Sequence, residues 1–136
     1  MSKYLIAYLV TAIVFFGMDF AWLMTATSRF YRVMLGDLLL EKPNLVVAAL
    51  FYFIYVGGIV IFAVAPALNV GSWATALMLG ATLGLIAYGT YDFTNLATLK
   101  GWPAVVSVID IVWGISLTAV AATLGFLIAS KFGVTG

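Results

Sequence analysis

The sequence predicts an all-α membrane protein: a four-transmembrane-helix bundle with an amphipathic connection between the first two helices. Three observations carry this reading. Of 136 residues, 65% are hydrophobic and only 8% are charged, whereas a water-soluble domain needs about a quarter charged residues to coat its core. The apolar residues gather into four long runs, each near the roughly 20 residues that cross a hydrocarbon core as a helix. The runs are continuous and do not alternate apolar with polar, as the strands of a transmembrane β-barrel do.

The four spans divide a single integral membrane domain, residues 1–136. They cover residues 4–28, 44–65, 72–99 and 103–130. Lys3 and Arg29 bracket the first. This run contains Asp19 and lacks a small-x-small cleavage site, so it is expected to stay as a helix and not to be removed as a signal peptide. Pro43 and Pro66 bracket the second span, and Pro66 to Gly71 reads as a tight turn. The third ends at Lys100, the fourth starts beside Pro103 and ends at Lys131. A proline suits the first turn of a helix, where its missing N–H costs nothing. Gly101 and Gly133 stand just past helix ends, a common place for glycine.

The long connection runs from Arg29 to Pro43. Arg29, Arg32, Gly36, Asp37 and Glu41 recur at helical spacing, with Phe30, Val33, Met34, Leu38 and Leu40 between them. This pattern reads as an amphipathic helix at the membrane interface, with an ordinary tethered loop as the alternative. Arg29, Arg32, Lys42 and Lys100 lie at one end of the bundle, and Lys3 and Lys131 at the other. Counting Lys and Arg beside the spans favours both termini outside.

Absent residues remove whole chemistries. The chain has no His and no Cys. Imidazole bases, histidine-ligated haem, thiolate nucleophiles, iron–sulfur clusters and tetrahedral N/S zinc sites are therefore excluded. A net charge of +1 gives no footprint for nucleic acid.

Three acids fall inside predicted spans: Asp19, Asp92 and Asp110. Burying one at a helix centre costs about 2.5–3.5 kcal/mol on insertion scales. At 1.5 Å per residue, Asp19 lies roughly 15 Å from the Arg29 face, Asp92 roughly 12 Å from Lys100 and Asp110 roughly 10 Å from Pro103. Because spans alternate direction, all three depths run from the same face. The acids are expected in one layer, with Tyr52 of the second span level with them. Helix faces agree: Gly80, Gly84, Tyr88, Asp92 and Asn95 form one stripe, and Ser107, Asp110, Gly114, Thr118, Ala121 and Gly125 another. Small residues on such stripes let backbones approach closely and are expected to pair copies into a homo-oligomer.

Two acids share a neighbour. Asp19-Phe-Ala-Trp22 and Asp110-Ile-Val-Trp113 both read Asp-x-x-Trp, and residues i and i+3 are neighbours on a helix. The two spans run oppositely, so the motifs read as a faint inverted repeat or as chance. Trp73 and Trp102 read as interfacial anchors. The candidate substrate- or ion-binding set is Asp19, Asp92, Asp110, Trp22, Trp113, Tyr52, Tyr88 and Asn95. If close, the acids titrate together, either neutral and hydrogen-bonded or ionised around a cation. No cofactor is expected, although carboxylates alone would suit a divalent cation such as Mg²⁺ or Ca²⁺.

From Tyr91 to Pro103 the chain reads Tyr-Asp-Phe-Thr-Asn-Leu-Ala-Thr-Leu-Lys-Gly-Trp-Pro. With Asp19-x-x-Trp22 and Asp110-x-x-Trp113-Gly114, this stretch resembles a bacterial family of small predicted membrane proteins known only as a domain of unknown function. The resemblance implies a four-span protein of the bacterial inner membrane and supplies no activity. Small multidrug transporters carry a Glu in the first span, where this chain has Asp19. The Asp-rich signature of lipid-headgroup transferases is not present.

Three functions compete. A binding or transport protein would hold a proton, cation or small lipid-like substrate at the acid layer, in an open polar cavity. An intramembrane enzyme would act on a lipid or isoprenoid, through a hydrophobic groove ending at the acids. A structural or accessory subunit would bury the acids as helix–helix glue and needs no cavity. Such contacts contribute about 0.6 kcal/mol on average, well under the insertion cost of one Asp, which disfavours glue.

Overall fold

Four long helices make up the computed structural model, which describes residues 2–132. Helix α1 covers Lys3–Ala26 and passes through a π-helical turn, Thr27–Tyr31, into α2 (Arg32–Leu35) and a 3₁₀ turn, Gly36–Leu38. The second long helix joins α3 (Leu45–Ile59), a second π turn (Val60–Val64) and α4 (Ala65–Val70). Helices α5 (Trp73–Thr98) and α6 (Ala104–Phe132) are unbroken. Each of the four helices is long and apolar enough to cross a membrane. Gly133 lies outside the described residues.

The starts are capped by side chains. Ser2 accepts from the Leu5 N–H, Asn44 from Val47 and Ser72 from Thr75, at 3.2 to 3.3 Å. Each takes up one of the amides that a helix start leaves unbonded. Gly71 ends α4 with φ of 72°, a left-handed conformation that costs a side-chain-bearing residue strain.

The second helix differs from the sequence reading. It does not stop before Pro66 but continues to Val70. The π turn just ahead of the proline gives the reason. A proline lacks the N–H and pushes on the carbonyl four residues back. A widened turn there accommodates the loss without ending the helix. The long connection also takes a different course. Its helical part, Arg32–Leu38, is not a separate interfacial helix but a continuation of α1 through the first π turn. Beyond Leu38 the chain is non-helical to Asn44.

Helix α6 is the centre of the bundle. Of its most apolar window 44% is buried, against 22% in each other span. It packs on α5 along one side and on α1 along the other. Contact with α5 is close because glycines face it. A Cβ added at Gly84 would meet the Gly114 carbonyl oxygen, one at Gly80 would come within 2.9 Å of Ala122, and one at Gly114 would meet the Tyr88 ring. On the α1 side, a Cβ at Gly125 would meet the Thr11 hydroxyl. The small-residue stripes expected to pair copies are therefore spent inside one chain, joining α5 to α6 and α6 to α1.

An aromatic core fills the space between α1, α3 and α6. The fully buried Phe15 ring meets Tyr52 and Tyr55 edge-on, each at 5.4 Å between centroids. Tyr55 and Thr118 hydroxyls bond each other at 2.8 Å. Large apolar residues face outward instead: Ile13, Val46, Phe62, Met78 and Phe93 are all more than half exposed. That inversion suits a lipid surround, where outward apolar groups carry no penalty.

The glycine contacts make a testable prediction. Gly84→Ala should destabilise the protein by about 1–3 kcal/mol through overpacking. Gly17→Ala has nothing within 4 Å of the new Cβ. It should be neutral, or stabilise the helix by up to about 1 kcal/mol. Thermal unfolding of both variants in the same detergent measures the contrast.

Candidate functional site

The two Asp-x-x-Trp motifs meet across α1 and α6. Trp113 Nε1 donates to Asp19 Oδ1 at 3.3 Å. Trp22 Nε1 donates to the Tyr31 hydroxyl at 3.2 Å, and that hydroxyl donates to Asp110 Oδ1 at 2.7 Å. Each acid is thus served by the indole of the other motif, once directly and once through Tyr31. The two indoles stack on each other, 4.6 Å between centroids and 12° from parallel. In a medium without water, buried polar groups must find such partners within the protein.

Tyr31 reaches Asp110 because of the π turn that contains it. π turns re-aim side chains and recur at functional sites. The sequence reading missed Tyr31, since nothing in the residue pattern marks where a helix will widen.

These groups line a cavity of about 550 Å³. Asp19, Trp22, Tyr52, Tyr88, Asp110 and Trp113, six of the eight candidates, lie on its wall. The connection supplies an apolar side, with Leu35, Leu38, Leu39, Leu40 and Pro43. Gly36, with φ of 54°, stops α2 and lets the chain turn back over the cavity. Arg32 is the lining cation among the described residues. Its Nη2 donates at 3.4 Å to the Leu40 carbonyl within the same connection. The amphipathic pattern of this segment was visible in the sequence; that its apolar side covers a cavity was not.

Two candidates lie elsewhere. Asp92 is fully buried behind the wall, and neither carboxyl oxygen has a hydrogen-bond donor among the described residues. Asn95, one turn further along α5, is half-buried and does not line the cavity. Two aromatic side chains join the wall instead, Tyr91 and Trp102. Trp102 is no simple interfacial anchor: its Nε1 donates to Ser107 Oγ, which donates to the Asp92 backbone carbonyl, both at 2.9 Å. This chain ties the α5–α6 turn down over Asp92. Trp73, by contrast, is 56% exposed at the start of α5.

The acids share a region without forming a tight triad. Among the described residues, no three His, Cys, Asp or Glu side chains are grouped closely enough to hold a metal ion. What the arrangement offers is a pair of carboxyls, Asp19 and Asp110, set among aromatic rings at the end of an apolar chamber.

Fold and site together define a four-helix integral membrane protein with an acidic, aromatic-walled chamber in its bundle. The chain belongs to the family described as "Predicted membrane protein (DUF2177)", whose model matches residues 4–127. Neither a curated protein nor a solved structure matches it.

The stacked indoles should couple their strong far-ultraviolet transitions and give a paired positive and negative band in far-ultraviolet circular dichroism. Trp22→Phe and Trp113→Phe should each abolish the pair, and Trp73→Phe should leave it intact. Tyr31→Phe removes the donor to Asp110 and the acceptor for Trp22. It should cost about 1–3 kcal/mol, read as a lower unfolding midpoint in detergent.

Proposed function

We propose that the protein binds and carries an amphipathic molecule with a cationic head group, held within the membrane at Asp19 and Asp110. The carrying observation is the cavity itself: leucines of the connection on one side and two carboxyls among aromatic rings on the other. Its volume, about 550 Å³, falls in the range of small-molecule sites, about 300–1,000 Å³. Two acids and one Arg line it, and the Arg is turned to a backbone carbonyl. That charge balance favours a positive ligand. Ring faces of Trp and Tyr attract ammonium groups, by about 2 kcal/mol or more once desolvated. An apolar tail then finds Leu35, Leu38 and Leu39.

Orientation follows from the same end of the molecule. Arg32 lines the cavity, and Arg29, Lys42 and Lys100 stand within two residues of Tyr31, Pro43 and Trp102, which line it too. Under the positive-inside rule this end faces the cytoplasm of a bacterial inner membrane.

A second reading rests on the leucine wall leading to the acids: an enzyme acting on a lipid or isoprenoid, with Asp110 as acid or base. A purely structural subunit has no use for the chamber.

The test uses the full chain in lipid nanodiscs, titrated with dodecyltrimethylammonium and read by tryptophan fluorescence. Saturable quenching is expected. Asp110→Asn should weaken it at least tenfold, about 1.4 kcal/mol, while Asp37→Asn on the exposed connection should not. Absence of saturable quenching by this probe overturns the reading. The enzyme reading requires that total lipid incubated with the protein yield a mass-shifted species that Asp110→Asn fails to make.

A further inference from the structure

The chamber is walled unevenly. Helices α1 and α6 and the connection supply most of its lining, whereas among the described residues α3 gives only Tyr52 and the Asn44 that caps its start. Between those two lie residues 45–51, roughly 10 Å of helix at 1.5 Å per residue. Leu45, Val46, Val47, Leu50 and Phe51 are each more than half exposed. A helix seated along its whole length in a bundle buries a stripe at every third or fourth residue. In α3 that stripe begins at Tyr55 and continues through Val56 and Ile59. The ties to α5 and α6 begin there too: the Tyr55 hydroxyl bonds that of Thr118, and its ring meets Tyr88 edge-on at 6.2 Å. Nearer the cavity α3 leans on α1 instead, with Tyr52 against Phe15 and Phe16. Across the gap stands Tyr91 of α5, which lines the cavity and is yet more than half exposed. Helices α3 and α5 thus part toward the cavity end, and the chamber has a mouth between Tyr52 and Tyr91.

We infer that the chamber opens sideways into the bilayer through this mouth, and that its ligand is a membrane lipid with a cationic head group, which enters there with its tails still in hydrocarbon. Both rims lie within helices that span the membrane, so the opening meets lipid and not water. Its α3 side is apolar and aromatic, with Leu50 and Phe51 outward. Lipid tails are as apolar as leucine, so a tail that slides past these residues changes its surroundings little. The head group alone changes partners, from the interface to Asp19, Asp110 and the rings. The tails need not fit within the chamber's volume of about 550 Å³. The cationic head group is taken from the reading above; the sideways mouth stands on the helix geometry alone.

Photolabelling of the full wild-type chain in phosphatidylcholine nanodiscs tests both parts. The probe is a two-chain trimethylammonium lipid with a diazirine in one acyl chain, and peptide mass spectrometry reads the labelled residues. Label is expected on Tyr88 and Trp113 inside the chamber, and excess dodecyltrimethylammonium should remove it. Label confined to outward residues such as Ile13, Phe62 and Met78 overturns the lateral mouth.

A diacylglycerol carrying the same diazirine separates the mouth from the choice of head group. It should label the outward residues and spare the chamber. If it labels Tyr88 and Trp113 as strongly as the charged probe does, and dodecyltrimethylammonium displaces neither, the cationic reading is overturned and the mouth stands. If dodecyltrimethylammonium binds saturably while the two-chain probe leaves the chamber unlabelled, the lateral mouth is overturned and the cation site stands.

Discussion

The contact on which the rest depends is the close approach of α5 and α6 at Gly84 and Gly114. Lipid tails are as apolar as leucine, so helices in a membrane associate through dense packing and internal polar contacts. Here backbone lies against backbone where a single added Cβ would collide. The consequences run along α5 in steps of one turn. Tyr88 lies flat over Gly114, which turns it into the cavity wall. One turn further, the Asp92 backbone carbonyl accepts from the Ser107 hydroxyl of α6. A bulkier residue at Gly114 would displace Tyr88 and, with it, the register that sets Ser107 against the Asp92 carbonyl.

The second joint, α1 against α6, is polar at its heart. Asp19 and Trp113, and Asp110 and Trp22 through Tyr31, cross between the helices. The arrangement is nearly reciprocal, with one departure, and Tyr31 is the departure. An indole N–H donates and never accepts, so Trp22 can bond the Tyr31 hydroxyl only as donor. The tyrosine hydroxyl, which does both, bridges the longer gap. The bonds hold the acids in place while leaving lone pairs facing the chamber.

The helical spans and the shared depth of Asp19 and Asp110 were legible in the sequence, because hydropathy and a fixed rise per residue set both. Asp92 shows the limit of depth arguments. It is buried behind the wall with its backbone carbonyl bonded to Ser107 of α6 and does not line the cavity, and that rotation of α5 depends on packing at Gly84 against α6. Tyr31, Arg32 and the leucines up to Leu40 entered the site through a π turn and a glycine reversal, both local backbone choices. The apolar half of the connection was a usable signal, since it called for something to cover. Pro66 misled for the opposite reason: a helix break was the simplest accommodation of a proline, and the chain used a widened turn.

One long helix carries both sides of the chamber. Asp19 and Trp22 stand on α1, and Tyr31, Arg32, Leu35 and Leu38 follow on the same continuous run. The polar wall and its apolar cover are thus parts of a single lever, with the π turn as its elbow. Any tilt of α1 against α6 moves the cover and strains the Tyr31–Asp110 bond together. The cover over the chamber and the hydrogen bond on its acid are mechanically one variable.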